Sequence, residues 1–195
     1  MATPDPLPTM TPGARRVLTA ASTLFYDRGI HAVGVDAIAE AAGVTKKTLY
    51  DRFGSKDALV LAYLQERDHR WREHLEGVLA TVPARGAARV LAVFDAAATW
   101  SAANSPRGCS AVNARAESDD PDHPVSRETL RQKRWLLEVF ERLLTEAEVS
   151  DPGPLSQTLM LLYEGAIVTV GMGTLEAPFT RARDAAADLL DHAPS

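Results

Sequence analysis

The chain has 195 residues, of which 46% are hydrophobic and 24% are charged, an ordinary composition for a soluble globular protein. Its formal net charge of −5 provides no overall attraction to nucleic acid. The single cysteine, Cys109, excludes an intramolecular disulfide. Because the chain also opens without an apolar leader, we expect a cytoplasmic protein.

Charge is distributed unevenly along the chain. Residues 12–60 hold seven Lys and Arg against five Asp and Glu, a net charge of +2. The remaining residues hold fourteen against twenty-one, a net charge of −7. A mildly basic head on an acidic body would direct the surface that attracts phosphate to one end of the molecule.

The first elements in chain order are a polar arm and a helix. Residues 1–11 are rich in proline and other turn formers and contain no Lys or Arg, so we expect a disordered arm with no role toward nucleic acid. A helix is predicted over Pro12–Arg28, with proline in its first turn and Gly29 just past its end.

Residues 35–53 are predicted to form two short helices joined by a tight turn. Gly43 suits the left-handed position that ends the first helix, and the hydroxyl of Thr45 can cap the second. Leu49 and Phe53 lie four residues apart and point inward together, while cationic, hydroxyl and phenol groups stay outside. This pattern is typical of a helix-turn-helix recognition helix, although an ordinary helical hairpin is the alternative.

Helical patterns continue to the end of the chain without any strand-length alternation, so we predict an all-α fold of about nine helices in two packed groups. After the turn, the predicted helices span 56–79 with Ser55 as N-cap, then 85–104, 109–116, 125–148, 155–173, and a last helix that opens at 176–178 and runs to 192. The run 155–175 is the most apolar, but Glu164 near its middle argues against a membrane span. We therefore expect a buried helix and no membrane partner.

A group of residues between positions 12 and 60 carries a family resemblance. It consists of residues 14–25, Gly29-Ile30, Ile38-Ala39, Ala42-Gly43-Val44-Thr45, Thr48-Leu49-Tyr50, Phe53 and Lys56-Asp57-Ala58-Leu59. Without any gap, these residues resemble the DNA-binding domain of the TetR family of bacterial repressors. The later phrase RGCSAVNARAE at 107–117, followed by HP and LLYEGA, resembles the effector domain of one common TetR branch.

The resemblance implies a three-helix DNA-binding head over residues 12–60 and a ligand-binding and dimerisation body over residues 61–195. The sequence departs from the family pattern in two places. Val33-Gly34 stands where hydroxyl residues are usual, which weakens the cap of the second helix and one phosphate contact. Lys47 stands where a small residue is frequent, which implies an unusual base preference.

The side chains expected to contact DNA lie on and around the second helix of the turn. The leading, exposed part of that helix would enter the major groove, so the residues assigned to base edges are Lys46, Lys47 and Thr48. Hydroxyl and ammonium donors set the register of a protein on phosphates. The residues assigned to phosphates are therefore Thr45, Tyr50 and Lys56.

Two groups of residues are expected to serve the body. A cavity for a hydrophobic small molecule would be lined by some of Phe94, Trp100, Cys109, Asn113, Trp135, Met160 and Tyr163, although apolar bulk at helical spacing more often means core. The resemblance also implies a homodimer formed by the last two long helices. The residues expected at that interface are Gly165, Val168, Met172, Ala186, Leu189 and Leu190, with packing inside one subunit as the alternative.

Cys109, Asn113 and Glu117 share one helix face, and His123 follows closely in sequence. These groups could form a metal or polar-ligand site, since thiolate, carboxylate and imidazole all coordinate metals. No tight ligand pair such as CxxC or HxxxH occurs, so packing or the lining of a cavity is the simpler interpretation. We expect neither a metal nor a cofactor.

The sequence therefore predicts a ligand-responsive transcriptional regulator. It would be a homodimeric repressor, released from a palindromic operator in double-stranded DNA by an unknown small hydrophobic effector. An α-helical interaction protein that does not bind DNA is the alternative. An enzyme is a further alternative that we do not favour, because the chain has no Gly-rich phosphate loop, GxSxG motif or paired metal motif.

Overall fold

The computed structural model describes residues 10–194, and within that range the protein is all-α, as predicted. The nine helices found among the described residues are α1 (Pro12–Arg28), α2 (Val35–Ala42), α3 (Lys46–Phe53), α4 (Lys56–Leu79), α5 (Ala87–Asn104), α6 (Ser110–Ala116), α7 (Pro124–Glu146), α8 (Pro152–Met172) and α9 (Pro178–Asp191). The predicted arm lies outside the described residues except for its last two. One of these, Thr11, is the N-cap of α1, because its hydroxyl accepts a hydrogen bond from the Ala14 amide.

Several helix ends differ from the predicted ones for local reasons. The helix α8 begins at Pro152 rather than 155, because proline has no amide hydrogen to leave unpaired in a first turn. The helix α7 ends at Glu146, and the left-handed Glu148 with φ 63° prevents its continuation to 148. The helix α5 begins at Ala87, after Gly86 with φ 96°.

The described chain forms two compact units. The first contains the residues up to Arg70 together with Ser110–Leu130, and the second contains Trp71–Cys109 and the residues from Arg131 onward. This grouping differs from a division at residue 60, because Ala114 and Val125 pack into the hydrophobic core of the first unit.

The core of the first unit is formed where α1, α2, α3 and the start of α4 meet. Its fully or almost fully buried side chains include Leu18, Phe25, Ile38, Leu49 and Tyr63. Phe25 and Tyr63 pack with ring centroids 5.8 Å apart. A helix of only eight residues such as α3 gains most of its stability from such burial, since isolated helices of this length are marginal in water.

The core of the second unit is aromatic at its centre. Tyr163 of α8 lies between Phe94, Phe140 and Phe179, with ring centroids 6.4, 6.3 and 5.6 Å away. The helices α5, α8 and α9 pack together around this group.

The helix α8 is long and apolar enough by length and composition to cross a membrane, a property that core helices of soluble proteins share. Only one side of α8 is buried in the second unit, namely the side that carries Leu159, Tyr163, Ala166 and Ile167. The opposite side exposes large apolar side chains, among them Leu161 at 73% and Met172 at 69%.

Candidate nucleic-acid interface

The turn between α2 and α3 has the geometry that its sequence predicts. Gly43 adopts the left-handed conformation, with φ 61° and ψ 41°, and its amide donates to the end of α2. Thr45 is extended and its hydroxyl accepts a hydrogen bond from the Thr48 amide at 3.1 Å. The prediction of a glycine stop followed by a threonine cap is therefore confirmed.

The helix α3 is held by one side and exposed on the other. Leu49 is fully buried, and Phe53 packs against the same core while partly exposed. The next helix is fixed by Ser55, whose hydroxyl accepts a hydrogen bond from the Ala58 amide at 3.0 Å. The helix α3 therefore has a buried anchor and a capped N-terminus, and the helix that follows it is capped as well. Such a helix presents its outer side chains on a rigid base.

Both lysines assigned to base edges are engaged in exposed ion pairs. Lys47 pairs with Asp51 one turn later, with 2.7 Å between Nζ and Oδ2. Lys46 pairs with Asp36 of α2, with 3.0 Å between Nζ and Oδ1. Exposed pairs of this kind are worth about 0–1 kcal/mol, so DNA could displace the carboxylates at little cost. The Lys46 pair also ties α2 to α3 across the turn, a contact that sequence reasoning missed.

The other residues assigned to DNA surround this surface. Thr48 is partly exposed, and its hydroxyl lies 2.9 Å from that of Thr45. Tyr50 is among the exposed large side chains of the described chain. Lys56, in the first turn of α4, lies at the wall of a cavity of about 420 Å³ in the first unit.

The cavity beside Lys56 is lined by several charged groups. His123 contacts Asp57, with 3.5 Å between Nε2 and Oδ2. Glu117 contacts His31, with 3.0 Å between Oε2 and Nδ1, and it also accepts hydrogen bonds from the amides of Ile30 and His31 at 2.9 and 2.7 Å. Partial burial alone would raise the pKa of the Glu117 carboxyl, but these hydrogen bonds outweigh it and hold the pKa below its ordinary value of 4.5.

The lowered pKa of Glu117 makes a testable contribution to stability. The depressed pKa implies stabilisation that is present above the ordinary pKa of 4.5 and is lost as pH falls through the folded-state pKa. We expect wild type to unfold at a higher urea concentration than Glu117→Gln between about pH 5 and pH 7, and we expect this difference to disappear below about pH 4.5. Circular dichroism at each pH measures the two unfolding midpoints. A difference between the midpoints that persists unchanged into strong acid would contradict this assignment.

The residues expected to line an effector cavity have different environments in the structure. Phe94 is fully buried and Tyr163 nearly so, both within the aromatic core of the second unit. Cys109, Trp135 and Met160 are partly buried and pack against that core. Trp100 is also partly buried and packs against Trp71, with ring centroids 5.9 Å apart. Asn113 is exposed and belongs to the first unit.

A partly buried ion pair in the second unit was not predicted from the sequence. Lys133 of α7 donates to both carboxylate oxygens of Glu164 in α8, at 2.7 and 2.9 Å, and lies 3.3 Å from the sulfur of Cys109. Burial alone would lower the pKa of Lys133, but Cys109 and Glu164 together raise it above its ordinary value. Burial has the opposite effect on the phenol of Tyr163 and raises its pKa well above its ordinary value of 10.0. The signal in the sequence was the lone Glu164 in an apolar helix, which requires a partner.

The metal-site interpretation of Cys109, Asn113, Glu117 and His123 finds no support in the geometry. Cys109 contacts Lys133, whereas Glu117 and His123 contact His31 and Asp57. Across residues 10–194, no three His, Cys, Asp or Glu side chains are grouped closely enough to hold a metal ion.

The residues expected at a dimer interface are mostly on exposed apolar surface. Gly165, Val168 and Met172 continue the exposed side of α8 that Leu161 begins, at helical spacing. Leu189 of α9 is exposed and Leu190 partly so. Ala186 is fully buried in the core of the second unit, so it does not contribute to this surface.

A capped, one-sided recognition helix behind a glycine turn defines the class of helix-turn-helix proteins. Residues 17–63 match the family model described as bacterial regulatory proteins of the tetR family. A TetR-family transcriptional regulator from Streptomyces coelicolor has a crystal structure that superposes with a TM-score of 0.87 at 32% identity, covering 94% of this chain and 97% of that one. The chain belongs to the TetR family.

Curated relatives agree with this membership. An HTH-type transcriptional regulator of Mycobacterium tuberculosis is 30% identical over 151 residues, which are 67% of this chain and 74% of that protein. The HTH-type transcriptional activator FasR of Mycolicibacterium smegmatis is 56% identical over 50 residues, which are 26% of this chain. That match spans only 23% of the length of FasR.

Proposed function

We propose that the protein is a transcriptional regulator that binds operator DNA through α3. The observation that carries this proposal is the exposed surface of α3, fixed from beneath by the buried Leu49. Its leading turn presents Lys46, Lys47 and Thr48 to base edges, and Lys47 is the most exposed of the three, at 84% of its side chain. Around them, the groups that would contact phosphates are Thr45, Tyr50 and Lys56.

Binding as a homodimer is supported by the apolar side of α8. Monomeric soluble proteins seldom expose a continuous row of large apolar side chains, and Leu161, Val168 and Met172 form such a row. A two-fold dimer would bury it and present two copies of α3. The operator would then be palindromic, with half-sites in major grooves about 34–36 Å apart or a multiple of that distance.

Regulation by a small effector is proposed for the second unit. Its partly buried Trp100, Trp135 and Met160 offer apolar contacts, and the Lys133–Glu164 pair offers charged ones. An effector that binds the non-DNA conformation better would release the operator, which describes a repressor.

FasR is named an activator, but the match with FasR is confined to 50 residues. A reporter gene behind the operator, with and without the protein, distinguishes repression from activation.

We infer a cytoplasmic protein without enzymatic activity, because its relatives are named transcriptional regulators. The alternative is an α-helical interaction protein that does not bind DNA. Phosphate neutralisation makes true DNA binding fall steeply with salt, so gel shifts at two salt concentrations separate these proposals.

The assignment of lysines to bases and phosphates is tested by two variants. Lys47→Ala should weaken operator binding by about 1–3 kcal/mol and relax selectivity at one base pair, because a base contact is lost. Lys56→Ala should weaken operator and random DNA alike and reduce the salt slope by about 1, because a phosphate contact is lost. Fluorescence anisotropy measures both, with labelled intergenic DNA from beside the gene.

Arg181→Ala is the matched control for these variants, since it removes one exposed cation from the second unit. It should change neither selectivity nor the salt slope. If Lys47→Ala behaves like Arg181→Ala, the assignment of Lys47 to a base edge is wrong.

A further inference from the structure

The loop that joins α1 to α2 is anchored in the core of the first unit by the apolar side chains of Val33 and Ile30, but its caps offer no polar side chain of their own. Gly34, the N-cap of α2, has no side chain to accept a hydrogen bond from the helix. At the other end Gly29 has φ 89° and ψ 156°, a backbone conformation that is essentially restricted to glycine. Val33 and Gly34, which lead into α2, offer no hydroxyl group to cap that helix.

A carboxylate from a distant part of the chain holds this loop instead. Glu117, directly after α6, accepts hydrogen bonds from the amides of Ile30 and His31 and from the His31 ring. Hydrogen bonds from two successive amides to one carboxylate are charge-assisted and short, which makes them stronger than neutral ones. The fit is close, since a Cβ added at Gly29 would lie 3.2 Å from Oε1 of Glu117.

This contact joins the helix-turn-helix to a segment outside its own sequence. Residues 110–130 belong to the first unit but continue at both ends into residues of the second. Glu117 contacts the loop directly before α2, and α2 is in turn tied to α3 through Asp36 and Lys46.

We propose that Glu117 is a positioning residue for operator binding, which fixes the α1–α2 loop and thereby the orientation of α2 and α3. The proposal rests on the proposed DNA-binding function. It concerns specific recognition, because base contacts require correct placement of α3 to within about 0.5 Å, whereas non-specific binding requires only positive charge near phosphates.

The test compares two variants that remove the same charge. Glu117→Gln and Asp119→Asn each replace a carboxylate by an amide, two residues apart, and Asp119 is exposed. Charge alone predicts equal or tighter DNA binding for both, since each removes repulsion from phosphates. Positioning predicts the opposite sign for Glu117→Gln, namely operator affinity about 5–30-fold weaker than wild type, with affinity for random duplex unchanged or slightly higher.

Folding is controlled in the same experiment. The folded fraction of each variant is measured by circular dichroism, and His31→Ala serves as a second variant because His31 is exposed and contributes a side chain to the same contact. We expect His31→Ala to lose about 2–3-fold in operator affinity, because only one of the three hydrogen bonds is removed.

Three results would overturn the proposal, and they are distinguishable. Equal operator affinities for Glu117→Gln and Asp119→Asn would show that the loop contact does not position α3. A parallel loss for operator and random DNA, in proportion to the unfolded fraction, would show a role in stability alone. Failure of wild type to bind the operator more tightly than random DNA would instead overturn the proposed function, and this positioning role with it.

Discussion

Leu49→Ala is expected to destabilise the helix-turn-helix unit by about 2–5 kcal/mol and to abolish operator binding. Leu49 is the one fully buried side chain of α3, and its loss leaves a cavity beneath the recognition helix. Small domains have net stabilities of about 5–15 kcal/mol, so this cost is a large share of the total.

The tryptophans allow this effect to be located. Trp71, Trp100 and Trp135 are the only tryptophans in the sequence, and all three belong to the second unit. The helical circular-dichroism signal of Leu49→Ala should begin to fall at a lower urea concentration than that of wild type. The urea transition followed by tryptophan fluorescence should differ less between the two proteins. The exposed Arg52→Ala on the same helix is the control, expected within about 0.5 kcal/mol of wild type. Equal unfolding curves for Leu49→Ala and Arg52→Ala would show that α3 is not anchored through Leu49.

Met172→Asp is expected to convert the proposed dimer into a monomer and to lower operator affinity at least about 100-fold. The side chain is 69% exposed in the single chain, so the substitution should leave the subunit folded. In a dimer formed through α8, however, it would place an unpaired charge in an apolar interface, which costs several kcal/mol. A monomer binds one half-site at a time and loses the advantage of linked binding.

The matched control is Leu130→Asp, which also introduces a carboxylate at an exposed apolar position, 49% exposed, but on α7. Sedimentation equilibrium and operator titration should show Leu130→Asp to be dimeric and fully active. A dimeric Met172→Asp would place the subunit contact on another surface.

The local features of the fold could be predicted from the sequence because they depend on neighbouring residues. The glycine stop at Gly43 and the caps at Thr45 and Ser55 need only a few residues to define them, and the structure confirms all three. The inward direction of Leu49 followed from helical spacing alone. Helix ends were less predictable because single residues such as Pro152 decide them.

The contacts that hold the first unit together could not be predicted in this way. Glu117 contacts Ile30 across 87 positions, and nothing in its helical spacing distinguishes a loop anchor from a metal ligand or a surface charge. Asp36 and Lys46 lie on different helices, and their approach depends on the angle of the turn. Such pairs require the packed fold, since each side chain alone is compatible with solvent.

Burial in the second unit was predicted only in part. Apolar patterns identify residues that leave water, but they do not distinguish core from cavity or interface, which is why Phe94 and Ala186 were grouped with accessible residues. The exposure of Val168 and Met172 depends on which side of α8 packs against the rest of the second unit, and the sequence of a helix that is apolar on both sides does not specify that side.

Hydroxyl-radical footprinting of the intergenic DNA beside the gene shows whether α3 reads DNA as part of a dimer. We predict two protected half-sites related by an inverted repeat, one helical turn of about 10 base pairs apart or a multiple of it, with protection falling steeply between about 50 and 200 mM salt. Uniform protection without a repeat, or none at either salt concentration, would show that two copies of α3 do not read an inverted repeat.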